Sequence, residues 1–249
     1  MIKASLVISS YNCNRELPNT FYAISRQKTN FEFEVCYIDD CSYEDPKFIY
    51  DYFLRVKHKK GMRLKQHIGS LGNSGSFLPN KFKNSFAMLL DMVSPESEII
   101  ILNHGDVIMP YDNMIQKFVD EVEEGVIKVP EIHTISIPQD LYINFEEGIE
   151  KAFKSEEEKP LYQGVNRNSL ALTLMCLYKK DLEKLEFQSD SHEVSLKIKM
   201  KKLGYKIINY EGMVGIHQSH GSRPNVHLLD SHQVLYWDYS KDPEKEYYA

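Results

Sequence analysis

Short polar clusters follow three apolar runs in the first half of the chain, and their residue types suit ligand chemistry. Ser9-Ser10-Tyr11-Asn12 follows Leu6-Val7-Ile8, Asp39-Asp40 closes Val35-Cys36-Tyr37-Ile38, and Asn103-His104-Gly105-Asp106 follows Ile99–Leu102. Further along, Asp190, His192 and Glu193 crowd into one stretch, and His217 and His220 precede Arg223. Carboxylates and amide oxygens accept hydrogen bonds from the N–H and O–H groups of a ligand. Grouped oxygens suit a hard divalent cation, and a carboxylate or imidazole can take the proton of an attacking hydroxyl. A guanidinium grips phosphate through two parallel bonds. Each cluster also has a plainer reading. Asp39 and Asp40 suit a turn or helix cap, and Glu193 suits the first turn of a helix, where the dipole favours an acid. The 103–106 stretch also reads as a loop without a metal, paired histidines are usually structural, and Lys83 and Arg223 read as ordinary surface cations.

The elements that would position these residues alternate in type. Residues 4–9 form a continuous apolar run of strand length, and Leu17, Phe21 and Ile24 recur at helical spacing between Asn14 and Gln27. Val35–Ile38 reads as a second strand. Pro46 opens a second helix that places Ile49, Phe53 and Val56 on one face. Arg63–His67 reads as a third strand, followed by a glycine- and serine-rich loop at 69–75. A third helix from Pro79, a residue suited to a first turn, carries Phe82, Phe86, Leu89 and Val93, and Glu98–Leu102 is a fourth strand. This β-α-β-α-β-α-β order predicts an α/β fold with a mainly parallel, Rossmann-like central sheet and helices on both faces. Such sheets bind ligands beyond the carboxyl ends of their strands, where the three polar clusters fall.

The second half is less regular. A helix is predicted over 111–124 with Ile115, Val119 and Val122 inward, a strand over 132–137, and an exposed helix or loop over the charge-rich 145–159. Ser169–Tyr178 reads as a strand, 192–203 as a helix stopped by Gly204, and 205–210 and 213–217 as two strands.

Composition narrows the class. The 249 residues, 42% hydrophobic and 27% charged, suit a globular domain with a sizeable core. The net charge of -6 disfavours a nonspecific grip on nucleic acid, and Lys57, Lys59, Lys60, Arg63 and Lys65 read as a solvated face. The four cysteines show no metal-ligand spacing and read as reduced thiols. No run approaches the roughly 20 apolar residues of a membrane-spanning helix, and the strand-like start leaves no room for a signal peptide. The expected location is therefore cytoplasmic.

Taken in order, the motifs resemble the inverting family 2 glycosyltransferases with the GT-A fold, over about residues 4–221. Leu6-Val7-Ile8-Ser9-Ser10-Tyr11-Asn12 is similar to that family's first strand, with serines in place of proline and threonine. Val35–Ser42 resembles its second strand ending in two aspartates. Lys83-Asn84 resembles an arginine-asparagine pair, and Ile99–Pro110 occupies the place of the metal-binding segment. His192-Glu193-Val194-Ser195-Leu196 resembles the segment carrying a catalytic glutamate-aspartate pair, and His217 and His220 match a late histidine.

The resemblance implies a single GT-A-like domain over 1–223, with a nucleotide-binding half to about 110, an acceptor half beyond it, and a C-terminal extension over 224–249. It implies donor contacts from Ser9, Tyr11, Asp39, Asp40, Lys83, Asn84, Asn103 and Arg223. In the metal-binding segment Asn103 stands in the place of the first acid and Gly105 in that of the second, which leaves Asp106 the leading ligand for Mn²⁺ or Mg²⁺, followed by His220 and His104. Nitrogen ligands suit Mn²⁺ better than Mg²⁺. Glu193 takes the place of the catalytic base, with Asp190 competing for that role and His192 replacing the paired acid. The implied partners are a nucleotide-sugar donor (a UDP-sugar is favoured) and a glycan or lipid-linked acceptor, with oligomerisation open. The implied activity is sugar transfer with inversion, in surface glycan or glycoconjugate synthesis. The alternative is a non-catalytic protein of the same fold that binds a nucleotide-sugar or a partner. A nucleotidyltransferase is disfavoured because the loop after the first strand has no glycine.

Overall fold

The structure is a computed structural model, and it describes residues 2–10, 13–39, 47–50, 52–53, 62–68, 91–135, 137–157, 173–184 and 199–218. Among these residues eight strands form one sheet in the order β3-β2-β1-β4-β7-β6-β8-β5. They are β1 (Ile2–Ser10), β2 (Glu32–Asp39), β3 (Met62–Ile68), β4 (Ile99–His104), β5 (Val107–Ile108), β6 (Val126–Ile135), β7 (Leu174–Tyr178) and β8 (Lys206–Gln218). The pairs β1–β2, β2–β3, β1–β4 and β6–β8 are parallel, while β4–β7, β6–β7 and β5–β8 are antiparallel. The mainly parallel α/β fold expected from the sequence is therefore the observed one.

Near-continuous apolar runs in β1 and β4 reflect burial on both faces. Alternate residues feed two separate cores. Leu6, Ile8, Val35, Tyr37, Ile99 and Ile101 pack with Leu17 and Phe21 of α1 (Leu17–Ser25) and with Ile115 and Phe118 of α3 (Met114–Asp120). Val7, Cys36, Ile38, Ile100 and Leu102 pack on the opposite face with Leu182 of α5 (Lys179–Glu183) and with Met200. The second helix begins at α2 (Lys47–Tyr50), and Phe53 is buried as its spacing predicted. Pro46, Val56 and most of the helix expected from Pro79 lie outside the described residues, although Val93 at its end is buried. Cys13, Cys36 and Cys176 are buried and form no disulfide among the described residues.

Several boundaries differ from the sequence expectation. β4 continues two residues beyond Leu102, because Asn103 and His104 pair with Ile8 and Ser9 of β1. β6 starts at Val126, six residues before the expected strand, because Val126–Pro130 pairs with Lys206–Tyr210. The charge-rich segment is a true helix, α4 (Phe145–Glu157), whose Phe145, Ile149 and Ala152 are buried at i, i+4 and i+7. The two strands expected after Gly204 are one, β8, interrupted by a bulge. Its register jumps between Pro130 and Glu131 of β6, and Gly212 supplies the positive φ of 71°.

Candidate active site

The strand ends meet as parallel packing requires. In register, Ser10 lies beside Asp39, and Ser9 lies between Ile38 on β2 and His104 on β4. Side chains alternate across a strand, so Ser10, Tyr37, Asp39 and Asn103 fall on the α1 face, and Ser9 and His104 on the other. Tyr37, Ser10 and Asp39 are linked by hydrogen bonds. The Tyr37 hydroxyl lies 2.8 Å from Ser10 Oγ, and Ser10 Oγ donates to Asp39 Oδ1 at 3.4 Å. All three are buried, with Asp39 1% exposed. Burial, followed by the negative charge of Asp39, pushes the Tyr37 phenol well above the ordinary tyrosine range.

The turn after β4 is set by a close approach. The Gly105 amide donates to Ser9 O at 3.1 Å, and a Cβ at position 105 would stand 2.6 Å from Ser10 Cβ and 3.2 Å from Leu17 Cδ2. A side chain does not fit there, so an acid at position 105 is incompatible with this turn. Asn103, 1% exposed, donates through Nδ2 to Val107 O at 3.1 Å, tying the two sides of the turn together. Its Oδ1 is buried with no hydrogen-bond partner among the described residues.

Asp106 emerges from this turn and meets β8. His217 pairs with Val107 of β5 and with Thr134 of β6, and its Nε2 lies 3.4 Å from Asp106 Oδ2. Both side chains remain partly open to solvent, at 25% for His217 and 13% for Asp106. A carboxylate oxygen and an imidazole nitrogen facing each other at this distance can serve as two ligands of one cation. Among the described residues, no group of three or more His, Cys, Asp or Glu side chains is arranged to hold a metal. Any cation here would take its remaining ligands from phosphate oxygens and water, a usual arrangement for Mg²⁺.

Of the residues singled out in the sequence, the structure gathers Ser9, Asp39, Asn103, His104 and Asp106 around the ends of β1, β2 and β4. Tyr11, Asp40, Lys83, Asn84, Asp190, His192, Glu193, His220 and Arg223 lie outside the described residues. Among the described residues the histidine facing Asp106 is His217. The resemblance placed His220 ahead of it as a ligand, and His220 lies outside the described residues. Tyr37 was read only as a core residue, and Gln218 was not singled out.

No family model matches the chain, and no curated protein matches it in sequence. Solved structures do match in shape. Staphylococcus aureus TarS 1-349 in complex with UDP aligns with 88% of this chain and 61% of its own, at TM-score 0.55 and 15% identity. The mannosyltransferase PcManGT from Pyrobaculum calidifontis, in complex with GDP-Man and Mn²⁺, aligns with 86% of this chain and 56% of its own, at TM-score 0.55 and 15% identity. Glucosyl-3-phosphoglycerate synthase from Mycobacterium tuberculosis, in complex with Mn²⁺, UDP and glucosyl-3-phosphoglycerate, aligns with 92% and 75%, at TM-score 0.52 and 16% identity. The chain spans about three fifths of the TarS fragment and just over half of the mannosyltransferase. Among the described residues no helix is long and apolar enough to cross a membrane. The chain has the GT-A fold of these glycosyltransferases.

Proposed function

We propose that the protein is a glycosyltransferase that moves a sugar from a nucleotide-sugar donor, UDP-linked by preference, to an acceptor hydroxyl with inversion. Glycans and lipid-linked sugars are the acceptor class, in surface glycan or glycoconjugate synthesis. The observation that carries this reading is the Asp106–His217 pair, which stands in the turn after β4, on the carboxyl edge of the sheet where β1 ends in Ser9-Ser10 and β2 in Asp39. Complexes with UDP and with GDP-mannose in proteins of the same fold support it.

In this reading the base and ribose lie over the ends of β1 and β2. Ser9, Tyr11, Asp39 and Asp40 face them, and Lys83, Asn84, Asn103 and Arg223 surround the donor. Asp39 acts from within a buried hydrogen-bonded group, so its carboxylate is held by Ser10 before any ligand arrives. Asp106 and His217 fit a divalent cation, Mn²⁺ or Mg²⁺, with His104 and His220 as further candidate ligands. The cation would offset the negative charge growing on the leaving diphosphate. Glu193 takes the proton of the acceptor hydroxyl as it attacks the anomeric carbon, with His192 orienting it and Asp190 as the competing base. Residues 1–110 form the donor half and 111–223 the acceptor half, and 224–249 extend beyond them.

A non-catalytic nucleotide-sugar binder is the second reading. Asn103 where an acid would stand, and the absence of room for any side chain at position 105, favour it. Hydrolysis of a UDP-sugar, followed by release of UDP, separates the two. The enzyme requires Mn²⁺-dependent release that is lost in Asp106→Ala. Binding of the donor without any turnover, in wild type and variant alike, assigns the protein to the second class.

A further inference from the structure

Gln218 follows His217 directly and is 3% exposed. Its backbone amide donates to the Asp106 carbonyl at 2.9 Å. Its side chain is bonded at both ends: Nε2 donates to Glu16 O and to Thr20 Oγ1, each at 3.1 Å, and Oε1 accepts from Asn19 Nδ2 at 3.0 Å. Asn19 is fully buried, donates also to Pro138 O at 3.0 Å, and accepts the Tyr142 amide at 3.0 Å.

These bonds join four segments: the start of α1, the β4–β5 turn, the end of β8, and the chain at 138–142. Both amide hydrogens of Gln218 are used, and so is its oxygen. A satisfied buried network of this kind fixes one arrangement, because any other strands polar groups away from water. Adjacent strand residues point to opposite faces. The side chain that clamps β8 to α1 therefore leaves its neighbour His217 aimed the other way, toward Asp106. The same clamp grips Glu16 and Thr20, at the start of the helix that follows the polar end of β1.

We propose that Gln218, supported by Asn19, is a positioning residue. It locks the end of β8 onto α1, and so fixes His217 against Asp106 and sets that pair relative to the donor loop after β1. The role in donor chemistry rests on the proposed function, whereas the fixing of His217 does not.

The test uses the full chain and two variants. Gln218→Met keeps the shape and removes the side-chain bonds, and Thr20→Val removes one of them. The first readout, at fixed pH, is the imidazole resonance of His217, assigned by its loss in His217→Gln. The second is Mn²⁺ affinity in the presence of UDP, and the third is the melting temperature. Gln218→Met should move the His217 resonance toward its position in Asp106→Asn and weaken Mn²⁺ by up to about tenfold, because the strand that carries His217 is no longer pinned to α1. Thr20→Val should move the resonance in the same direction by less, and it decides the matter if Gln218→Met fails to fold. A variant that lowers the melting temperature but leaves the His217 resonance unmoved shows a purely structural role and overturns the inference. If the wild type binds no Mn²⁺, the metal reading fails, and the resonance still decides the positioning role.

Discussion

Placing a single methyl group at Gly105 tests how tightly the β4 turn is built. The Cβ of an alanine would stand 2.6 Å from Ser10 Cβ and 3.2 Å from Leu17 Cδ2. Carbon atoms in contact normally sit about 3.5–4.0 Å apart, so the turn or β1 must move by about 1 Å. Overpacking on this scale costs about 1–3 kcal/mol, which for a domain of this size lowers the melting temperature by about 2–12 °C. Ser10 also holds Asp39, and Gly105 precedes Asp106, so the same movement displaces both acids. A 1 Å misplacement costs about 100-fold in rate. Gly105→Ala should therefore lose about 1–3 kcal/mol in urea unfolding and about two orders of magnitude in UDP release from a UDP-sugar. Gly125→Ala is the matched control. Its φ of +73° makes alanine strained, yet nothing lies within 4 Å of the added methyl, so it should cost about 1 kcal/mol and leave turnover intact. Gly105→Ala with wild-type stability would refute the packing argument. The predicted loss of stability with full turnover would show that the close approach has no part in the site.

Two further outcomes follow from buried groups away from the turn. Glu34 is fully buried; its Oε1 accepts from Ser5 Oγ and the Ser94 amide, each at 2.6 Å, and its Oε2 accepts from Ser94 Oγ at 2.7 Å. Glu34→Ala strands these donors and should cost about 3 kcal/mol or more in urea unfolding; a change below about 0.5 kcal/mol would remove the carboxylate from the fold's anchoring groups. The phenols of Tyr37, Tyr205 and Tyr210 are all pushed upward, chiefly by burial. A raised folded-state value means that the folded chain retains protons the unfolded chain releases. The stability it confers is complete below the unfolded value of about 10 and declines as pH rises above it. An ultraviolet titration should show Tyr37 and Tyr210, the two buried ones, ionising together with alkaline unfolding, and their free ionisation in a still-folded protein would contradict that burial.

The first half of the chain was readable because its strands are apolar on both faces. Leu6-Val7-Ile8 and Ile99–Leu102 have no polar alternation, and that pattern belongs to a sheet covered on two sides. The polar residues that end each run marked the carboxyl edge, and the register of Ser10 with Asp39 and of Ser9 with His104 follows from the parallel order. What was hidden depends on pairings distant in sequence. β5 is two residues long and exists because β8 returns to it. His217 reaches Asp106 by the same return, and neither residue type nor spacing announces that pairing. Glu34 lay outside the second strand as read from sequence, because its partners Ser5, Ser94 and Ser97 come from other segments, Ser97 by way of Ser5. Gly105 was read as the place of a lost acid. The structure gives it a positive reason, the contact with Ser10. Gly212 was overlooked for a different cause: a glycine between two apolar runs reads as a break between strands, and here it is a bulge within one.

The most direct measurement is a crystal structure of the full chain soaked with a UDP-sugar and Mn²⁺. The account predicts the uracil and ribose over the ends of β1 and β2 beside Asp39, with anomalous density for one Mn²⁺ bound by Asp106 and His217 against the diphosphate. Nucleotide bound on another surface, or a cation held far from Asp106, would contradict it.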